Sequence, residues 1–238
     1  MRIDVLTIFP DMFAGVCAEG ILRIAREKGH LDLRVHDLRD WTHDSHRSVD
    51  DRPFGGGPGM VMKPEPVFEA VESLEEEPPR PLRILLCPQG ETLSQTIAGD
   101  LARAERLLLI AGHYEGFDER IRMGLAPREI SIGDYVLSGG ELPAMVVLDA
   151  VARLIPGVVG DEQSVECESF QDGLLDFPQY TRPRVFRDMT VPDVLLSGNH
   201  DAIRSWRHAQ RIERTRLRRG DLLASLRKDD SSGPDQTR

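Results

Sequence analysis

Apolar positions cluster in short runs across the first 155 residues, and these runs alternate with segments of helical period. Arg2–Phe9 and Leu31–Asp37 are short and β-branched or leucine-rich, which suits strands. Arg83–Cys87 (RILLC) and Leu107–Ala111 (LLLIA) are almost unbroken apolar runs, the pattern of strands buried on both faces. Between them Gly20–Lys28, Pro64–Glu76, Ser94–Arg103 and Pro143–Leu154 read as helices. Pro66 still falls in a first turn, where its missing N–H removes no helical bond. Ser94 is placed to cap the helix that follows it. Strands alternating with helices predict a parallel sheet covered on both faces. The period is lost from Ile155 to Arg187, a stretch punctuated by proline and glycine that reads as a linker. Beyond Pro192 the pattern turns helical again, with Asn199–Arg219 polar and rich in arginine. The last ten residues, DDSSGPDQTR, have the composition of a disordered tail.

Composition narrows the class without naming a function. The chain has 238 residues, 40% hydrophobic and 29% charged, enough for a buried core in an ordinary globular protein. It has no apolar run of 18 residues, and its N-terminus lacks the apolar core and cleavage site of a secretion signal. Three widely spaced cysteines (Cys17, Cys87, Cys167) argue against a disulfide framework and a cysteine-rich metal site. A cytoplasmic location is the expectation. The net charge of -10 is unevenly spread: residues 1–179 carry -15, residues 180–228 carry +7 and the last ten carry -2. A basic module on an acidic body suits a polyanionic partner or, on charge alone, a solvated helical surface.

Ligands of open α/β sheets bind at the carboxyl ends of the strands, so the glycine loops there are the candidates. Pro88-Gln89-Gly90 follows RILLC, and Gly112-His113-Tyr114-Glu115-Gly116 follows LLLIA. A third loop runs from Ile132 to Glu141 (IGDYVLSGGE). None matches GxGxxG after a strand or GxxxxGK[ST], which disfavours a dinucleotide fold and a P-loop. Glycine at such points lets main-chain groups approach a ligand closely. An earlier segment, Ser48–Met60 (SVDDRPFGGGPGM), is long and rich in Gly and Pro, as a loop that orders on a ligand would be.

These segments together carry a resemblance. THDSHRSVDDRPFGGGPGMVMKPEP, LCPQGETLSQ, AGHYEGFDERI, SIGDYVLSGGELPAMVVLDAVARLIPGVVG, SFQDGLLDFPQYTRP and VPDVLLSGNHDAIRSWR occur in one order and spacing. Over about Arg2 to Arg219 the chain resembles the bacterial tRNA (guanine-37-N1)-methyltransferases of the knotted SPOUT class. The resemblance implies an α/β domain over 1–160, a parallel sheet whose C-terminal part forms a deep trefoil knot. It further implies a linker over 161–187, a small basic helical tRNA-binding domain over 188–228 and a tail over 229–238. A knot departs from the general rule that chains do not thread loops, and periodicity gives no sign of it.

The family uses S-adenosylmethionine, so the resemblance implies a cofactor site in the three loops. Its residues would be Leu86, Pro88, Gln89 and Gly90 from the first loop and Gly112, Tyr114 and Glu115 from the second. The third loop would add Ile132, Gly133, Tyr135, Val136, Leu137, Gly139 and Gly140, with Pro143 beyond it. His46, Asp50, Arg52 and Gly59 match positions that bind or shape the pocket of the target nucleotide, and Asp176 and Arg182 match linker positions placed to touch tRNA. The family acts as a homodimer with each active site at the subunit interface. It is also described as depending on Mg²⁺, for which no residues here are assigned and no carboxylate cluster has the expected spacing.

The reaction needs a base, because N1 of guanine carries a proton, and a donor for the charge that builds on O6. The matching positions are Glu168 as base and Arg153 as donor. Well-known members have Asp-Ser-Phe where this chain has Glu168-Ser169-Phe170, which lengthens the carboxylate by one methylene; Glu166 and Asp172 are the alternative carboxylates. His113 stands where many members have Arg. Two other readings remain: another SPOUT RNA methyltransferase with a different target, or a catalytically silent RNA-binding homologue.

Overall fold

A computed structural model describes residues 1–160 and 168–224. Packing divides the chain into two units, Met1–Gly160 and Asp161–Arg238. In the first unit β1 (Arg2–Thr7) leads through a 3-10 turn (Pro10–Phe13) into α1 (Ala14–Ala18) and α2 (Gly20–Glu27). There follow β2 (Asp32–Asp37), β3 (Asp50–Asp51), β4 (Val61–Met62), α3 (Pro64–Glu75) and β5 (Leu82–Thr92). Next come α4 (Gln95–Ala102), β6 (Arg106–Ala111), α5 (Glu119–Leu125), β7 (Arg128–Ser131) and α6 (Glu141–Ala152).

Five strands form one sheet in the order β2-β1-β6-β5-β7, and every pairing in it is parallel. The unbroken apolar runs explain its burial. Leu107 and Leu109 of β6 join one core with Ile3, Val5, Ile84 and Leu86, under α2, α4 and α6. Leu108 and Ile110 point the other way, into a second core with Leu6, Leu85, Val67, Val71 and Ile121 under α3 and α5. Alternation along a strand sends successive side chains to opposite faces, so a strand covered twice must be apolar at every position. The sheet expected from the sequence is therefore present. Ser94 caps α4 as its position predicts, accepting from the Ile97 amide at 3.3 Å.

Two regions differ from expectation. β5 does not end at Cys87 but resumes pairing after a bulge. Ile130 of β7 is opposed first by Leu86 and then again by Glu91, with residues 87–90 looping out between. At Gly90 a Cβ would run into the main chain of Glu129 and Ile130, so only glycine lets the returning segment lie this close. In addition, α5 and β7 carry no clear period and were not expected from the sequence.

The amino-terminal end of the sheet holds a buried ionic cluster. Asp4, wholly buried, accepts from Nε of Arg106 at 2.8 Å and from Nη2 of Arg2 at 3.0 Å, and lies 2.8 Å from Nε2 of His36. Arg106 is also buried and spends its remaining donors on carbonyls, including that of Leu74 at 2.8 Å. Burial pushes the Asp4 carboxyl up, but its three cationic or polar partners outweigh that and hold it down at about 2.

In the second unit β8 (Val185–Phe186) and β9 (Met189–Thr190) form a hairpin, and α7 spans His200–Arg218. Asn199 caps α7 by accepting from the Ala202 amide at 3.1 Å. Arg211 of this helix pairs with both carboxylate oxygens of Asp172, while the buried Thr215 hydroxyl accepts from the Leu175 amide at 2.9 Å. Segment 172–175 is thereby pinned to α7.

Candidate functional site

The carboxyl ends of β5, β6 and β7 open on a cleft of about 280 Å³. Its walls are the three glycine loops, and main-chain packing sets their spacing. The Gly140 amide donates to the Gly112 carbonyl at 2.7 Å, joining the third loop to the second. A Cβ on Gly140 would stand 2.8 Å from Ala111 Cα and Gly112 N, atoms that cannot move aside. Inside the third loop Tyr135 folds back, its hydroxyl donating to the Ile132 carbonyl at 3.1 Å. Gly133 has φ +147°, a conformation that side chains disfavour.

Every expected cofactor residue except Gly90 lines this cleft. Gly90 instead makes room for β7. The cleft also includes Cys87, Phe117, Arg122, Ser131 and Ser138, which were not singled out from the sequence. Ser131 and Ser138 lie within a quoted motif, whereas Arg122 sits on a helix the pattern did not reveal.

Charge in the cleft is largely neutralised by pairing. Arg122 Nε donates to Glu129 Oε2 at 2.9 Å, and the Cys87 thiol donates to the same oxygen at 2.9 Å. Burial, then the bond to Glu129, pushes the Cys87 thiol up, so it remains protonated at neutral pH. At the start of α6 Glu141 is almost completely buried, near the helix's positive end. Its Oε1 accepts from the Thr7 hydroxyl at 2.8 Å, and its Oε2 lies 3.7 Å from Nδ1 of His113.

The Gly-rich segment Ser48–Met60 docks beside the cleft. β3 and β4 pair antiparallel at its base, and the Glu115 amide donates to the Met60 carbonyl at 3.0 Å. Gly59, at φ +82°, leaves a space that the Glu115 side chain fills. Burial and the neighbouring charge of Asp50 push the Tyr114 hydroxyl up, which puts Asp50 next to Tyr114. Asp50 and Gly59 are thus brought to the second glycine loop. Arg52 is exposed, and Phe54, two residues on, is wholly so. His46 is exposed in a turn whose amides bond to Asp44, and does not line the cleft.

Arg153 ends α6 as its C-cap and borders a shallow groove with Val16, Leu142 and Val146. Glu168, Asp176 and Arg182 belong to the second unit. The Ser169 hydroxyl accepts from the Asp176 amide at 2.9 Å, and Asp176 Oδ1 accepts from the Phe177 amide at 2.7 Å. Of the alternative carboxylates, Asp172 is committed to Arg211: burial raises its pKa, but the guanidinium outweighs that and lowers it. Glu166 lies outside the described residues. Among the described residues no group of three or more His, Cys, Asp and Glu side chains is arranged to hold a metal ion, so no Mg²⁺ position is derived.

Comparison with known proteins gives one answer. The profile of the family described as tRNA (Guanine-1)-methyltransferase TrmD matches residues 1–225. A protein of Moorella thermoacetica named tRNA (guanine-N(1)-)-methyltransferase is 59% identical over 228 residues, covering 95% of this chain and 91% of that protein. Proteins of the same name from Geobacillus kaustophilus (57% identical) and Staphylococcus carnosus (58%) each cover 94% of this chain, which covers 91% of each of them. Loops lining one cleft, in the order and spacing of the quoted motifs, and identity above half along nearly the whole length lead to one statement: the chain belongs to the tRNA (guanine-1)-methyltransferase family.

Proposed function

We propose that this protein transfers a methyl group from S-adenosylmethionine to N1 of the guanosine at tRNA position 37, next to the anticodon. The observation that carries the reading is the cleft between β5, β6 and β7, lined by all but one of the residues that the family resemblance nominated for the cofactor. A wall built largely of glycines and main chain suits a ligand recognised through backbone donors and acceptors. The cofactor would bring a methyl group already activated on a cationic sulfonium.

The protein's own tasks are positioning and proton removal. In this reading Glu168 accepts the N1 proton of guanine, and Arg153 donates to O6 as negative charge builds there. Asp50 and Gly59, held beside Tyr114 and Glu115, shape the entrance through which the base arrives; His46 and Arg52 lie further out on the same segment, and Asp176 and Arg182 meet tRNA from the second unit. With its thiol held protonated, Cys87 is a poor nucleophile and does not compete for the methyl group.

Two architectural features belong to the same proposal. The first is the threaded chain that the resemblance implies, a deep trefoil knot in the C-terminal part of the sheet domain. The exposed Leu142 and Val146 beside Arg153 support a homodimer in which the linker and basic domain of one subunit close over the cleft of the other. The linker over 161–187 is described only from 168 onward.

The test is methyl transfer from S-adenosylmethionine to a tRNA transcript with guanines at positions 36 and 37. Replacing guanine 37 alone should abolish the product. Unchanged methylation after that replacement would refute the assignment.

A further inference from the structure

The second unit contains a pocket that includes Arg182, already assigned to tRNA, but neither Glu168 nor Arg153 of the methyl-transfer step. Its volume is about 360 Å³, within the ~300–1,000 Å³ typical of small-ligand sites. Its floor is apolar, formed by Val191, Leu195, Leu196 and Ile203. Around the floor stand Phe177, Tyr180 and three arginines, Arg182, Arg184 and Arg207. No described lining residue is acidic.

The three guanidinium groups differ in how they are engaged. Arg184 is paired with Asp193 at 3.2 Å, which discounts its charge. Arg207 sits over the Phe177 ring, its guanidinium carbon 4.6 Å from the centroid, a cation–π contact that leaves its N–H donors available. Among the described residues neither Arg182 nor Arg207 has an ion-pair partner. Tyr180 is half exposed, with one side of its ring tilted against Trp206 at 6.4 Å.

A half-exposed ring beside an apolar floor and two uncompensated cations matches one ligand chemistry. An unstacked nucleotide places its base on the ring and floor and its phosphate on the guanidinium groups. A phosphate alone would leave the floor unused, and an apolar peptide would leave the arginines unpaired. We propose that this pocket binds a single unstacked nucleotide of the tRNA other than the reacting base. The proposal rests on tRNA being the substrate, and it turns a general basic surface into a defined subsite with Tyr180 as its stacking platform.

The experiment measures binding of the full-length protein to the tRNA transcript at several salt concentrations, with no methyl transfer required. Tyr180→Ala should weaken binding at least fivefold, and Tyr180→Phe should stay within twofold of wild type because the ring is kept. Arg182→Gln and Arg207→Gln should each flatten the dependence of log K on log salt by about one, the mark of a lost phosphate contact. Cofactor affinity without tRNA, measured by calorimetry, should be unchanged in all four. Binding within twofold of wild type with an unaltered salt slope would overturn the subsite, as would Tyr180→Phe losing as much as Tyr180→Ala. If Tyr180→Ala fails to fold, the salt slope of Arg182→Gln decides, since that side chain supports no described contact. A protein that methylated some nucleotide other than 37 would fail the earlier test while leaving these binding results intact.

Discussion

The Thr7 hydroxyl at the end of β1 donates a 2.8 Å hydrogen bond to Glu141 Oε1 at the start of α6, 134 residues further along the chain. Both side chains are buried, and the bond fixes the helix that emerges from the third cleft loop. Gly139 and Gly140 immediately precede that helix, so this contact holds the loop against the sheet as well.

Removing the donor should therefore be felt in the cleft. Thr7→Val leaves a buried carboxylate oxygen without its partner, at a cost of about 1–3 kcal/mol. We expect lower stability in urea and weaker cofactor binding, with Thr7→Ser restoring both. Normal cofactor affinity in Thr7→Val would detach the third loop from this anchor.

Gly140→Ala should be more severe at the site than any conservative side-chain change. The added methyl meets main-chain atoms of Ala111 and Gly112 at 2.8 Å, and neither can rotate away. Overpacking of this kind costs about 1–3 kcal/mol. Calorimetric titration with S-adenosylmethionine should show at least a tenfold loss of affinity; retention of wild-type affinity would mean that the two loops can separate freely.

The glutamate at 168 carries the chemical step in our reading. Glu168→Gln keeps the shape and removes the base, so single-turnover methyl transfer should fall at least 100-fold with cofactor binding intact. Glu168→Asp should retain far more of the rate. A near-normal rate in the glutamine variant would assign the proton to another carboxylate, and Asp172, tied to Arg211, is a poor candidate.

A fourth expectation concerns pH. Asp4 is held at about 2 in the folded chain, against an ordinary 3.8. A lowered carboxyl pKa adds stability that is complete above pH 4 and disappears as pH falls toward 2. At 1.36 kcal/mol per pKa unit the contribution is about 2 kcal/mol. Asp4→Asn should destabilise the protein at pH 7 by leaving Arg106 buried without its charge partner, and should also flatten the loss of stability between pH 4 and 2. A variant as acid-sensitive as wild type would place that loss on other carboxylates.

Much of this architecture was legible in the residues. β1, β2 and β6, the start of β5, and α2, α3, α4 and α6 lie within about two residues of the elements that the pattern predicts; β1, β6, α3 and α6 do so by burying long apolar runs or stripes. β7 and α5 were not legible for a physical reason. REIS is four residues long, and its polar members Arg128 and Glu129 pair with Glu91 and Arg122. ERIRMGL is a seven-residue helix with Gly124, a weak helix former, in its last turn. The cleft followed from motif order, but the use of Gly90 did not. From the sequence Gly90 looks like a loop residue near a ligand; only the register of β5 against β7 shows it facing a neighbouring strand. The pinning of segment 172–175 by Arg211 and Thr215 lay equally out of reach, since no local pattern links positions about 40 residues apart.

The close main-chain packing of Gly140 on Ala111 and Gly112 has a consequence for selection. A small molecule that reads the amides and carbonyls of these loops contacts groups that every amino acid possesses. Point mutation can alter such a surface only by adding bulk, and here added bulk strikes the framework that the cleft itself is made from. Escape from an inhibitor of that kind would therefore have to arise away from the cleft, through higher expression, export or a bypass of the modification.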